Sequence, residues 1–140
     1  MAGVASNNRI GSDRFSIGNE YTGRMDQTTA LFVSIGAEAV AAATLLALSG
    51  WGKPWRGMAA AALATLITHP LAWRAAPGLD PVMGFWARTV VVETLVSLAE
   101  TAAYRWLVPL AWPRALLASI AANAASTCVG LAYFYSVGLL

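Results

Sequence analysis

A few residues in this 140-residue chain have side chains able to exchange a proton, hold a cation or orient either one, yet lie in apolar surroundings: Glu38, His69, Glu93, Glu100 and Asn123. An acid at the centre of a bilayer costs about 2.5–3.5 kcal/mol on insertion scales. Apolar side chains would avoid that cost, so the acids need a reason to be there. Two carboxyls and an imidazole at one depth suit a proton relay or a small-cation site. The structural alternative for Glu38 and Glu93 is a neutral acid hydrogen-bonded between helices as packing glue. For His69 it is an imidazole satisfied by a Glu or a backbone carbonyl, and for Asn123 and the hydroxyl residues it is interhelical hydrogen bonding. Glu100 lies nearer a helix end, and pairing with Arg105 or Arg114 is expected for it.

Supporting polar groups recur at helical spacing around these residues. Thr89, Glu93, Ser97, Glu100 and Tyr104 share one face of their segment, and Ser119, Asn123, Ser126 and Gly130 share another. Thr65, Thr68, His69 and Ala72 form a third face, and Ser34, Glu38, Ala41 and Leu45 a fourth. Turned inward, the four faces give a bundle with a polar axis. Pro70 has no N–H, which frees the carbonyl of Leu66 beside His69. Thr68 or the Asn123 amide is expected to satisfy it.

The elements that carry these faces are legible from caps and breakers. Helices are predicted over Gln27 to Ser49, about Arg56 to Ala75, about Pro81 or Val82 to Leu107, and Pro113 to near Leu139. Gly50, Pro54 and Pro77-Gly78 mark the ends, and the short connections predict antiparallel neighbours. Trp51, Trp55, Trp106 and Trp112 fall at one end of the bundle, with Trp73 and Trp86 at the other, as in an aromatic belt. Glu38, His69, Glu93 and Asn123 then lie within about 5 Å of mid-depth at ~1.5 Å rise per residue. Residues 1–28 are a polar tail whose charges cancel (Arg9, Arg14 and Arg24 against Asp13, Glu20 and Asp26), followed by the helical domain over 29–140. A tail of that composition predicts no signal peptide, and docking on a partner is its expected use.

Composition agrees with the membrane reading. The chain is 58% hydrophobic and 11% charged, with net charge +2 and mean hydropathy +0.59. Soluble domains carry about 25% charged residues, so there is too little charge here to coat a globule. No basic cluster points to nucleic acid. Cys128 is the one cysteine; it has no intrachain partner, and its expected role is a small apolar packer in helix 4. No Glu-x-x-His pair marks a di-metal bundle, and no nucleophile motif or phosphate loop marks an enzyme, so no enzymatic activity and no cofactor are expected, while metal binding stays open. Lys53, Arg56, Arg105 and Arg114 in the loops after helices 1 and 3 predict that both termini lie outside the cytoplasm. Arg88 is expected to snorkel toward Asp80 or the tail acids.

Thr68-His69-Pro70, followed by Glu93, Glu100 and Tyr104 and then by Asn123 and Ser126, resembles small four-helix bacterial integral membrane proteins. In these a Thr-Asn-Pro or Thr-His-Pro helix precedes a Glu…Glu…Tyr helix. The resemblance covers about half the chain and implies no particular activity.

The sequence therefore predicts an all-α polytopic membrane protein of four antiparallel transmembrane helices, placed in a bacterial inner membrane. The expected function is a transporter or channel subunit, homo-oligomeric or part of a larger complex, moving protons or a small cation through Glu38, His69, Glu93, Glu100 and Asn123. Thr68, Pro70, Ser97, Tyr104 and Ser126 would support that site. The alternative is an accessory subunit of a respiratory, photosynthetic or oxygenase complex, docked through residues 1–28. A further version makes His69 the axial ligand of a haem or chlorophyll.

Overall fold

The computed structural model describes residues 26–79 and 81–137, which form four α-helices and no strand. Helix α1 spans Gln27–Ser49, as expected. Asp26 caps it by accepting from the Thr29 amide at 2.9 Å and the Thr29 hydroxyl at 2.8 Å. Gly50 ends it with φ 65, a left-handed conformation that costs glycine little.

Helix α2 spans Pro54–Leu79, beyond the expected Arg56–Ala75, and contains both Pro70 and Pro77. A proline deletes one ladder bond and leaves its neighbours intact. Unwinding the whole turn would give up those neighbouring bonds as well, so the helix runs on through both prolines. Helix α3 spans Phe85–Leu107 and so starts later than expected, because the Val82 and Met83 amides turn back onto the Leu79 carbonyl at 3.1 and 3.0 Å. Helix α4 spans Trp112–Ser136 with proline in its first turn; the expected extension to Leu139 enters residues outside those described.

The helices form a ring. Each packs on its neighbour in sequence, and α4 closes onto α1, so α1 faces α3 and α2 faces α4 across the axis. The two halves of this ring differ. Toward the end where α1 and α3 finish, Ala42, Leu46, Ala60, Ala61, Tyr104, Val108, Ala115, Ala118 and Ala122 make a buried core. Small side chains let the helices close there: a Cβ on Gly57 would lie 3.2 Å from the Ala42 carbonyl oxygen. On α1 the buried face is Glu38, Ala39, Ala42 and Leu46, rotated by one residue from the expected Ala41 and Leu45.

Outside, the bundle is apolar. Phe32, Leu48, Ile67, Leu95, Leu98 and Leu117 are among its exposed large side chains, as are Trp55, Trp86, Trp106 and Trp112 near helix ends. Helices α1 and α4 are long and apolar enough to cross a membrane, whereas α2 and α3 do not meet that measure. Cys128 is exposed rather than packed, because it lies about 140° around α4 from Asn123 at ~100° per residue.

Candidate functional site

Mid-bundle, two acids on facing helices hold the other two helices together. Glu38 is the central residue of α1 and is 2% exposed; Glu100 lies one turn past the centre of α3 and is 1% exposed. One Glu38 oxygen accepts from the Thr65 hydroxyl on α2, and the other accepts from Ser126 on α4 at 2.8 Å. Glu100 repeats the arrangement. One oxygen accepts from Thr68 on α2 at 2.6 Å, and the other from the Asn123 amide on α4, also at 2.6 Å. Each acid thus bridges α2 and α4, and the partners of the two acids lie three residues apart on each helix, Thr65 and Thr68 on α2 and Asn123 and Ser126 on α4.

The donors are themselves anchored. Thr65 and Thr68 also reach the carbonyls of Ala61 and Ala64 at 2.8 and 3.0 Å. Asn123 donates to the Ser119 carbonyl at 3.0 Å, and Ser119 donates to the Ser97 carbonyl at 2.8 Å. Ser97 therefore contributes a backbone acceptor as well as a small side chain.

Above this clasp the ring opens. A cavity of about 240 Å³ runs from Glu38, Glu100 and Asn123 to Ala30, Ala76, Phe85 and Phe134, at the end where α1 and α3 begin. His69, Glu93, Ser126 and Thr127 line it among apolar and aromatic neighbours that include Trp73 and Tyr133. Glu93 and Thr127 also line a shallower groove in the α3–α4 seam, so they stand in the wall between the cavity and the outer surface. His69 leans on Trp73, with ring centroids 5.9 Å apart. At the mouth, the Arg88 guanidinium lies 5.6 Å from the Phe85 ring centroid. Asp80, one expected partner for Arg88, and the acids of the tail before Asp26 are outside the described residues.

Several buried polar atoms among the described residues lack a well-formed hydrogen bond: His69 Nε2, the Thr127 hydroxyl, whose neighbour is the Glu93 carboxyl, and the Tyr104 hydroxyl. The first two belong to residues lining the cavity. Tyr104, 0% exposed, belongs to the closed half, one turn beyond Glu100.

The structure thus brings Glu38, His69, Glu93, Glu100 and Asn123 to one cavity, with some corrections. Glu100 is not paired with Arg105 or Arg114; its oxygens go to Thr68 and Asn123, because its position on α3 faces the bundle axis. Thr68 and Asn123 spend their donors on Glu100, Ala64 and Ser119, so the expected bond to the Leu66 carbonyl is not made. Tyr104 supports the packed half rather than the cavity. Thr65, expected only as part of the polar face of its helix, is a direct partner of Glu38. Its signal was present in sequence, since it falls three residues before Thr68 on the same face. Among the described residues no three His, Cys, Asp or Glu side chains are placed to hold a metal ion. The chain matches no protein-family model, no curated protein and no solved structure.

Proposed function

We propose that the chain is a small, non-enzymatic integral membrane protein with four spans, and that it passes a proton or small cation through the Glu/His cavity. The observation that carries this reading is the cavity itself, open toward one end of the ring and ending at mid-length on two hydrogen-bonded carboxyls, above a half closed by small side chains. That is half of an access pathway, with the other half shut.

Four spans, rather than two, are supported by where the polar groups of α2 and α3 point. Thr65, Ser97, Glu100, Thr101 and Tyr104 are buried, while Leu66, Ile67, Leu71, Val90, Leu95 and Leu98 are exposed. At ~1.5 Å per residue, the 23 residues of α3 reach about 35 Å, against a hydrocarbon thickness of about 30 Å. With both termini outside the cytoplasm, in a bacterial inner membrane, the mouth of the cavity opens away from the cytoplasm.

Roles divide by hydrogen bonding. Glu38 and Glu100 have both oxygens committed between helices; they form the floor and fix the packing. Glu93 and His69 line the wall, and they exchange the proton or hold the cation. The bridging by Glu38 and Glu100 also favours a second reading, an accessory subunit in which these groups serve as packing glue and the tail docks on a partner.

Reconstituted vesicles separate the two. Proton flux down an imposed pH gradient is expected with the wild-type chain and lost in Glu93→Gln. Equal leak from two equally folded proteins removes the transport reading. A stoichiometric larger complex that is lost on deleting residues 1–25 establishes the accessory one.

A further inference from the structure

Three polar groups of the cavity wall are not used by the clasp: the Glu93 carboxyl, the Thr127 hydroxyl and His69 Nε2. Glu93 and Thr127 are side-chain neighbours across the α3–α4 seam, whereas His69 Nε2 is a buried polar atom with no partner, and such atoms are few in native proteins. These three can all act as acceptors, since carboxylate and hydroxyl oxygens carry free lone pairs and a neutral imidazole has one acceptor nitrogen. A primary ammonium has three N–H donors and no acceptor. The floor is the Glu38–Glu100 clasp, whose oxygens already accept from Thr65, Ser126, Thr68 and Asn123, and toward the mouth the walls are mostly apolar or aromatic, with Trp73, Val92 and Phe134 beside Ser34 and Thr89.

We propose that the cavity binds a small primary alkyl- or arylammonium ion, its head on Glu93, Thr127 and His69 and its hydrocarbon body along the walls toward Trp73 and Phe134. This assignment rests on the reading of the cavity as the working site, and it names the cation. The chemistry argues against an inorganic ion. Calcium takes 6–8 oxygen ligands, and magnesium keeps several waters in a near-ideal octahedron. With the Glu38 and Glu100 oxygens committed to the clasp, and no three acidic, imidazole or thiol side chains placed together among the described residues, the cavity supplies neither set of ligands. Size argues in the same direction: about 240 Å³ is below the roughly 300–1,000 Å³ of drug-sized pockets, yet much larger than a bare ion needs. The donor count discriminates further, because a quaternary ammonium of the same charge has no N–H to give.

The test is calorimetric titration of the purified full-length protein, in one detergent, with benzylammonium, benzyltrimethylammonium, benzyl alcohol and potassium. Benzylammonium is expected to bind saturably, at one site, at least tenfold more tightly than the trimethyl or alcohol analogue, and potassium in excess is expected not to displace it. Glu93→Gln should weaken it at least tenfold and Thr127→Val severalfold. The comparison among ligands needs no variant, so it stands even if a substitution impairs folding. Equal affinity for the trimethyl ion would reduce the site to a charged apolar slot and overturn the proposal. So would displacement by potassium, unchanged binding in a folded Glu93→Gln protein, or no saturable binding. Uptake of benzylammonium into the same vesicles reports separately. Binding with neither uptake nor proton flux leaves the site and removes transport, whereas proton flux without binding does the reverse.

Discussion

A hydroxyl has one hydrogen to give, and this bundle places three hydroxyls between two acceptors each. Thr65 lies between Glu38 and the Ala61 carbonyl, Thr68 between Glu100 and the Ala64 carbonyl, and Ser126 between Glu38 and the Asn123 carbonyl. A carbonyl only accepts. Where the hydroxyl gives its hydrogen to its own helix, the contact to the acid is complete only if the carboxyl carries a hydrogen. An amide in place of the acid supplies one in any case. Glu38→Gln is therefore expected to cost under about 1 kcal/mol in chemical denaturation in detergent. Glu38→Ala, which removes both bridges and leaves a void, is expected to cost roughly 2–3 kcal/mol. Equal losses in the two variants would show that the bridges contribute nothing. Asp26 is the opposite case, fully exposed at the start of α1. The backbone and side-chain hydrogen bonds from Thr29 hold its carboxyl below its ordinary value of 3.8. A carboxyl held low when folded adds stability above its unfolded value and loses it as pH falls through the folded one. The Thr29 amide resonance should titrate with a midpoint below 3.8; a midpoint at or above that value would mean that the cap is not formed.

Helix α1 was legible to the residue because Asp26 and Gly50 are chemical punctuation, whereas α2 was not. Pro70 and Pro77 read as breakers when a proline is weighed alone, but each removes a single ladder bond, and the bonds on either side carry α2 through both. The depth of Glu38, His69, Glu93 and Asn123 follows from counting residues along each helix, so their convergence was open to sequence reasoning. The partners of Glu100 were not. Whether an acid one turn from a helix centre meets an arginine near the end or a threonine on the next helix depends on rotation about the axis, and the small hydrophobic asymmetry of these helices fixes rotation poorly. What sets it is close packing at a few positions. Gly57 is one, since a Cβ there would come within 3.1 Å of the Leu46 side chain and 3.2 Å of the Ala42 carbonyl oxygen. A branched side chain cannot fit, and Gly57→Val is expected to lower stability by roughly 1–3 kcal/mol through overpacking. Gly36 provides the control, with nothing within 4 Å of a Cβ. Gly36→Ala should be neutral or stabilise by up to about 1 kcal/mol through helix propensity. Equal behaviour of the two variants in thermal melts would show that the α1–α2 contact is loose.

At the scale of the whole molecule, the feature that matters is the difference between the two halves of the ring. The alanines of one half are fully buried against each other, and interiors packed at that density leave little room for water, whereas the other half encloses a cavity lined by Glu93, His69 and hydroxyl groups that can hydrate it. Water should therefore reach the clasp from the end where α1 and α3 begin and stop there. Single cysteines introduced into a Cys128→Ala background measure this directly. At Ala72 or Ala76, which line the cavity, a cysteine in reconstituted protein should react with a small membrane-impermeant thiosulfonate added on that side. At Ala61 or Ala118, both buried in the closed half, it should not react from either side. Saturating benzylammonium should slow the reaction at Ala72 if the cavity is where that cation sits. Reaction at Ala61 or Ala118 from the opposite side would mean that the closed half also opens, and that the clasp at Glu38 and Glu100, rather than the alanine core, is the barrier between the two faces of the membrane.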